Sequence, residues 1–279
     1  MLVVVGLACQ EAGAALAVLL FPEVGPLGVV MLRLVFSAVL LLLIARPSLR
    51  GHSRDGWLAV LGFGLVLALM NGLFYLALAR LPLGVTVTIE VLGPLVLSIV
   101  ASKRRSAWLW ALLAFAGVVA LAGGGWDRLD PLGVLFALGA AASWAFYILA
   151  SARVGREFPG LNGLALAMTV GALIALPFGI LSAGSALLRP DLLALGAAVA
   201  VLSSTIPYAL ELIALRRLPA AVFAILLSLA PATAALAGWL LLGQELTWLE
   251  LVGIALVITA SIGAVRSSNR AASRSTPLA

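Results

Sequence analysis

The chain has 279 residues, of which 64% are hydrophobic and 10% charged, with 17 Lys and Arg against 11 Asp and Glu. Soluble domains run nearer to about 45–50% apolar and about 25% charged, so this composition excludes a soluble enzyme or a nucleic-acid-binding module and requires a lipid-facing exterior. A single cysteine, Cys9, rules out an intramolecular disulfide.

Ten apolar stretches approach the roughly 20 residues that a spanning helix needs. In chain order they cover approximately 2–20, 26–45, 56–79, 83–102, 107–123, 132–150, 161–182, 192–215, 219–242 and 248–265, separated by Gly, Pro and charge clusters that act as loops. The runs are continuous rather than alternating, which excludes a porin-type barrel and makes the fold all-α.

Arginine and lysine collect in short cytoplasmic loops. With the N-terminus inside, the inner loops hold Arg46, Arg50 and Arg54; Lys103, Arg104 and Arg105; Arg153 and Arg156; Arg216 and Arg217; and the tail holds Arg266, Arg270 and Arg274. Only Arg80, Arg128 and Arg189 fall in outer loops, so both termini are expected in the cytoplasm. The polar segment 267–279 reads as a disordered tail. His52, the only histidine, reads as a solvated loop residue with no second imidazole to share a metal.

Setting "ARLPLGVTVTIEVLGPLVLSIVAS" beside "RRLPAAVFAILLSLAPATAALAGW" aligns Arg80 with Arg217, Leu81 and Pro82 with Leu218 and Pro219, and Pro94 with Pro231. Five spans separate the copies, an odd number, so the expected architecture is ten transmembrane helices in two inverted five-helix repeats, 1–125 and 131–266. Secondary transporters are built this way, with the substrate site near the bilayer midplane. Pro94 and Pro231 are then candidate breaks in equivalent helices, and Gly93 accentuates the first.

Glu11, Arg33, Glu90 and Glu211 fall within spans, where a charge costs about 2.5–3.5 kcal/mol at the helix centre. Glu90 lies roughly 10 Å into the fourth span at 1.5 Å per residue, too deep to reach water easily. It is expected to line a polar cavity or to pair with a cation such as Arg33; a structural ion pair or a protonated acid is the alternative. Glu211, a turn from Arg216 and Arg217, either joins the site or snorkels to the interface. Glu11 either lines the cavity or is a neutral hydrogen-bonded acid, and Arg33 either braces helices or meets a carboxylate. Asn71 with Tyr75, Trp144 with Tyr147, and Tyr208 with Glu211 share helix faces by spacing. Together they suit an amphipathic chamber for a small zwitterion.

The segments "MNGLFYLALARLPLGVTVTIEVLGPLVLSI", "FALGAAASWAFYILASARVG", "IPYALELIALRRLPAAVFAILLSLAP" and "LLLGQELTWLELVGIALVITASIG" resemble the drug/metabolite transporter superfamily, more narrowly its EamA-type threonine/homoserine exporters. The resemblance extends to about residue 265. It implies a bacterial inner-membrane exporter of amino acids or related metabolites, and Asn71, Phe74, Tyr75, Glu90, Pro94, Trp144, Tyr147, Pro207, Tyr208 and Glu211 match its pattern. Pro207 thereby joins Gly93, Pro94 and Pro231 as an expected hinge position. Two positions depart: Gln244 stands where the family generally has Glu, and Ala230 replaces the acid of an "MEP" motif, which opens the substrate range toward apolar and aromatic amino acids.

The expected activity is alternating access around a central site, with the substrate ammonium at Glu90 or Glu11 and its carboxylate at Arg33, Asn71 or freed backbone amides. Expected partners are small amino-acid substrates, membrane lipids and, as a candidate coupling ion, protons; nucleic acid and cofactors are not expected. A membrane-embedded enzyme would need a positioned acid, base or metal set that this sequence does not assemble, and no G-x-x-x-x-G-K-[ST] loop supports an ATP-driven pump.

Overall fold

A computed structural model of the chain describes residues 2–101, 105–122, 129–207, 210 and 226–272. Every regular element among them is helical. In chain order these are α1 (Leu2–Ala45), α2 (Arg54–Leu78), α3 (Leu83–Glu90), α4 (Leu92–Ala101), α5 (Arg105–Ala122), α6 (Pro131–Glu157), α7 (Asn162–Ala183), α8 (Pro190–Ala200), α9 (Ala230–Leu242) and α10 (Trp248–Ala272). A 3-10 turn, Gly184–Leu188, precedes α8, and one turn of π-helix, Val201–Thr205, follows it.

A straight 44-residue helix would measure about 66 Å, more than twice the roughly 30 Å hydrocarbon core. Gly25 resolves this with φ 69° and ψ 165°, a non-helical break flanked by Pro22 and Pro26 that divides α1 into two arms of spanning length. The left-handed φ favours glycine, and Ser182 Oγ, which donates to the carbonyl of Val24 at 3.0 Å, occupies the space a Cβ would take.

Six of the described helical stretches are long and apolar enough to cross a membrane. Their outward faces carry large exposed apolar side chains, among them Leu43, Leu112, Phe115, Phe146, Leu181 and Trp239. In water such a surface would aggregate, whereas in lipid it costs nothing, so the chain is a multi-pass integral membrane protein.

Small residues set the helix neighbours and their sense. Gly28 meets Ala183 and Gly179 meets Met31, so the second arm of α1 and α7 run antiparallel. Gly139 against Leu73 and Phe63 against Tyr147 make α2 antiparallel to α6; Gly13 against Ser203 and Gly6 against Leu210 do the same for the first arm of α1 and the segment after α8. Gly117 packs on Gly253 while Trp110 fills the space at Gly263, an antiparallel pairing of α5 with α10. By contrast Gly133 meets Leu81 and Gly93 meets Ala141, so α6 runs parallel to the α3–α4 unit.

Loop contacts follow these senses. Arg80 pairs with Asp130 at 2.7 Å and Arg189 with Glu23 at 2.9 Å, while His52 lies 4.3 Å, centroid to centroid, from Phe158. The helix α10 continues to Ala272, beyond the 265 at which its apolar pattern stops. A capping box starts it: Thr247 Oγ1 accepts from Glu250 N, and Glu250 Oε2 accepts from Thr247 N.

Candidate functional site

The fourth apolar run of the sequence is two helices. α3 ends at Glu90, Val91 forms a turn, and α4 begins at Leu92. The interruption falls three residues before Pro94 rather than at the Gly93-Pro94 pair, and proline geometry explains this. Pro94 has no N–H, and its ring crowds the carbonyl four residues back, which is that of Glu90. Gly93 is closely packed, lying against the Ala141 carbonyl where any side chain would collide with α6. A second interruption precedes α9 at Ser228 and Leu229, with Pro231 in the first turn of the new helix. Pro231 likewise leaves the carbonyl of Leu227 without its helical donor.

Glu11, on the first arm of α1, is 2% exposed. Glu90 is half-buried at the end of α3. These two carboxyls and Arg33, on the second arm of α1, lie within electrostatic reach of one another. No direct ion pair joins Arg33 to either acid among the described residues.

Several neutral groups grip Arg33. Its Nε donates to Ser204 Oγ at 3.1 Å, its Nη2 to the Ser203 carbonyl at 3.1 Å, and its Nη1 makes a longer contact to Tyr75 Oη at 3.4 Å. The guanidinium also stands 5.6 Å from the centroid of the Tyr75 ring, a cation–π distance. Tyr75 is fully buried, packed edge-on to Phe21 and Phe74. The result is a cationic group tied at once to both arms' neighbours, α2 and the π turn.

Asn71, one helical turn before Tyr75, is buried and donates from Nδ2 to the Leu67 carbonyl at 2.8 Å. Tyr147 stacks on Phe63 at 5.2 Å in an apolar cluster with Leu67 and Val154, and Trp144, half-buried, lies one turn from the Gly93–Ala141 contact. Tyr208 and Glu211 lie outside the described residues, while Pro207 is described and helical.

Ser203 and Ser204 escaped the sequence reading, although the signal was present. "SSTIP" places a proline four residues after Ser203, and Pro207 has no N–H to offer the carbonyl that Arg33 takes. Gln244 also has a definite place: its Oε1 accepts from Leu83 N at 2.9 Å, supplying the cap that Pro82 lacks. No group of three or more metal-ligating side chains occurs among the described residues.

The profile of the EamA-like transporter family matches residues 131–266. Over 272 residues the chain is 39% identical to the threonine/homoserine exporter RhtA of Salmonella typhimurium (strain SL1344), covering 97% of this chain and 92% of that protein. The chain belongs to the EamA-like transporter family. A second relative in this family, RhtA of Escherichia coli (strain K12), is 40% identical over 264 residues, 94% of this chain and 89% of that one. The fold of this chain is matched by a protein of known crystal structure with a TM-score of 0.67 over 97% of both chains, at 20% identity. Membership makes the protein a transporter and not an enzyme.

Proposed function

We propose that this protein exports amino acids of the threonine and homoserine type across a bacterial inner membrane by alternating access. The observation that carries the reading is the 39% identity, over nearly the whole of both chains, to an exporter of threonine and homoserine. The cluster of Glu11, Glu90 and Arg33 supplies what an α-amino acid needs: two acids for its ammonium and a fork-shaped cation for its carboxylate. Asn71, Tyr75, Trp144, Tyr147, Tyr208 and Glu211 complete the proposed chamber, and Gly93, Pro94, Pro207 and Pro231 its hinges.

The proposed frame is ten crossings in two inverted repeats, 1–125 and 131–266. Helix neighbours support it, because several pairs have counterparts when the halves are exchanged. The α2–α6 contact corresponds to that between the first arm of α1 and the segment after α8, whereas the α5–α10 and α3–α9 pairs map onto themselves. The interruptions at Val91 and Ser228 fall at equivalent positions of the aligned repeats. Arginine clustering in the inner loops favours cytoplasmic termini, with 267–279 as a tail.

Ala230 is buried against an apolar cluster that contains Leu83 and Val87, where an "MEP" acid would stand. That favours a range extending to apolar and aromatic amino acids. Counterflow of labelled threonine, homoserine, methionine and phenylalanine in proteoliposomes tests both parts. Uptake of threonine and homoserine above empty liposomes is expected, and transport of none of the four would overturn the reading. A step in uptake on imposing a pH gradient would add protons to the cycle.

A further inference from the structure

We propose that the cavity between α9 and α10 holds a membrane phospholipid whose headgroup carries an ammonium, with Glu245 as the partner of that cation. The proposal goes beyond the exporter reading: it needs the chain to lie in lipid and is independent of the cargo.

The cavity has a volume of about 560 Å³, within the roughly 300–1,000 Å³ of small-molecule sites. Leu236 and Trp239 of α9 and Leu251 and Ile254 of α10 form its apolar wall, and Glu245, from the connection between these helices, is the one charged side chain among the described residues that line it. Leu236 and Trp239 are more than half exposed, so the cavity opens on the outside of the bundle, where acyl chains are the solvent. Exposed indoles concentrate at headgroup level. Trp239 and Trp248 therefore place the mouth of the cavity where acyl chains give way to headgroups.

Glu245 differs from the other described acids at this end of the bundle. Glu23 and Asp191 pair with Arg189, Asp130 pairs with Arg80, and Glu250 caps α10 through Thr247. Glu245 is exposed and has no ion pair or hydrogen bond among the described residues. At the edge of lipid a carboxylate gains more from a cation than it does in bulk water, and a primary ammonium adds a charge-assisted hydrogen bond. The acyl chains of the same molecule fill the apolar wall by dispersion contacts. A soluble amine or an anionic lipid makes only one of these two contacts.

The connection builds the site by sending consecutive side chains in different directions. Gly243, at φ 64°, ends α9 in the left-handed conformation, and Gln244 N returns to the Gly238 carbonyl at 3.0 Å. The Gln244 side chain then caps α3 at Leu83 N, while Glu245 stays exposed. Gln244 also lines the cavity, so an occupant abuts the cap of the broken helix that ends at Glu90, and its binding is expected to stabilise the fold.

The test uses the full chain in a nonionic detergent, titrated separately with phosphatidylethanolamine, phosphatidylcholine and phosphatidylglycerol. Native mass spectrometry reads the lipid retained, and thermal unfolding reads its effect on stability. Wild type is expected to hold phosphatidylethanolamine about tenfold more tightly than phosphatidylglycerol, with phosphatidylcholine, whose cation donates no N–H hydrogen bond, between them. Glu245→Gln should erase that preference and Glu245→Lys should reverse it. Ala232→Trp, which puts an indole into the cavity, should lower retention of phosphatidylethanolamine to the level of Glu245→Gln. Glycerophosphoethanolamine, the same headgroup without chains, should leave the melting temperature unchanged. The same lipid preference in wild type and Glu245→Lys would overturn the assignment, and so would a melting shift from the chain-free headgroup equal to that from the lipid. Should Ala232→Trp fail to fold, the reversal by Glu245→Lys decides alone. Failure of wild type to move amino acids in counterflow would remove the exporter reading and leave this site standing.

Discussion

Gln244 Oε1 accepts a hydrogen bond from Leu83 N at 2.9 Å, so the second residue after α9 caps the broken helix α3 from 161 positions away. Pro82, the residue before α3, has no side chain able to do so. Replacing Gln244 by Ala is expected to lower stability by about 1 kcal/mol, the usual loss of a cap, whereas Gln244→Glu keeps an acceptor and should stay close to wild type. Thermal unfolding in one detergent, with the three proteins side by side, checks this.

Gly93 and Gly62 make a matched pair. A methyl group at Gly93 would run into the Ala141 backbone, while one at Gly62 has open space around it. Gly93→Ala should therefore cost about 1–3 kcal/mol by forcing α4 from α6, and Gly62→Ala should be neutral or slightly stabilising. An equal melting temperature for both variants would contradict the close approach.

Glu90 and Glu11 carry the proposed ammonium site. Glu90→Gln keeps shape and removes the charge, so threonine counterflow should fall about tenfold or more while the purified protein melts as wild type does. Glu11→Gln should act in the same direction. Normal transport by Glu90→Gln would take Glu90 out of the site and leave the transporter class standing.

Asp130 links an end of the bundle to pH. Its carboxyl is held below the ordinary 3.8 chiefly by a hydrogen bond from Arg80, and further by the Leu132 and Gly133 N–H groups that it caps. A lowered folded-state pKa means a contribution fully present above the unfolded value and lost as pH falls through the folded one. Asp130→Asn should therefore melt below wild type at neutral pH, and the gap should close in acid beneath 3.8. Salt should narrow it as well, since the pair is exposed. A gap independent of both pH and salt would assign Asp130 a capping role alone.

Sequence reading reached furthest where a local rule had one outcome. Continuous apolar runs forced helices, and Pro94 and Pro231 announced interruptions, although the first break landed at Val91 because a proline disturbs the turn before it. Glu11, Glu90 and Arg33 stood out because an ion inside a span is costly wherever the helix faces. Their partners did not stand out: serines in an apolar helix ordinarily bond their own backbone, as Ser203 Oγ does. Only packing distinguishes Ser204 from such a case.

By itself, then, the order of residues determined that the chain lives in lipid and which groups are too polar to be there without a reason. Those are properties of each segment against its solvent, and they need no neighbour to express them. Which neutral atoms hold Arg33, why Gln244 rather than an adjacent residue caps α3, and which helices lie side by side were decided by the tertiary structure. Such contacts join residues as far as 171 and 161 positions apart, and they form where glycines let backbones approach, a geometry that no local pattern encodes.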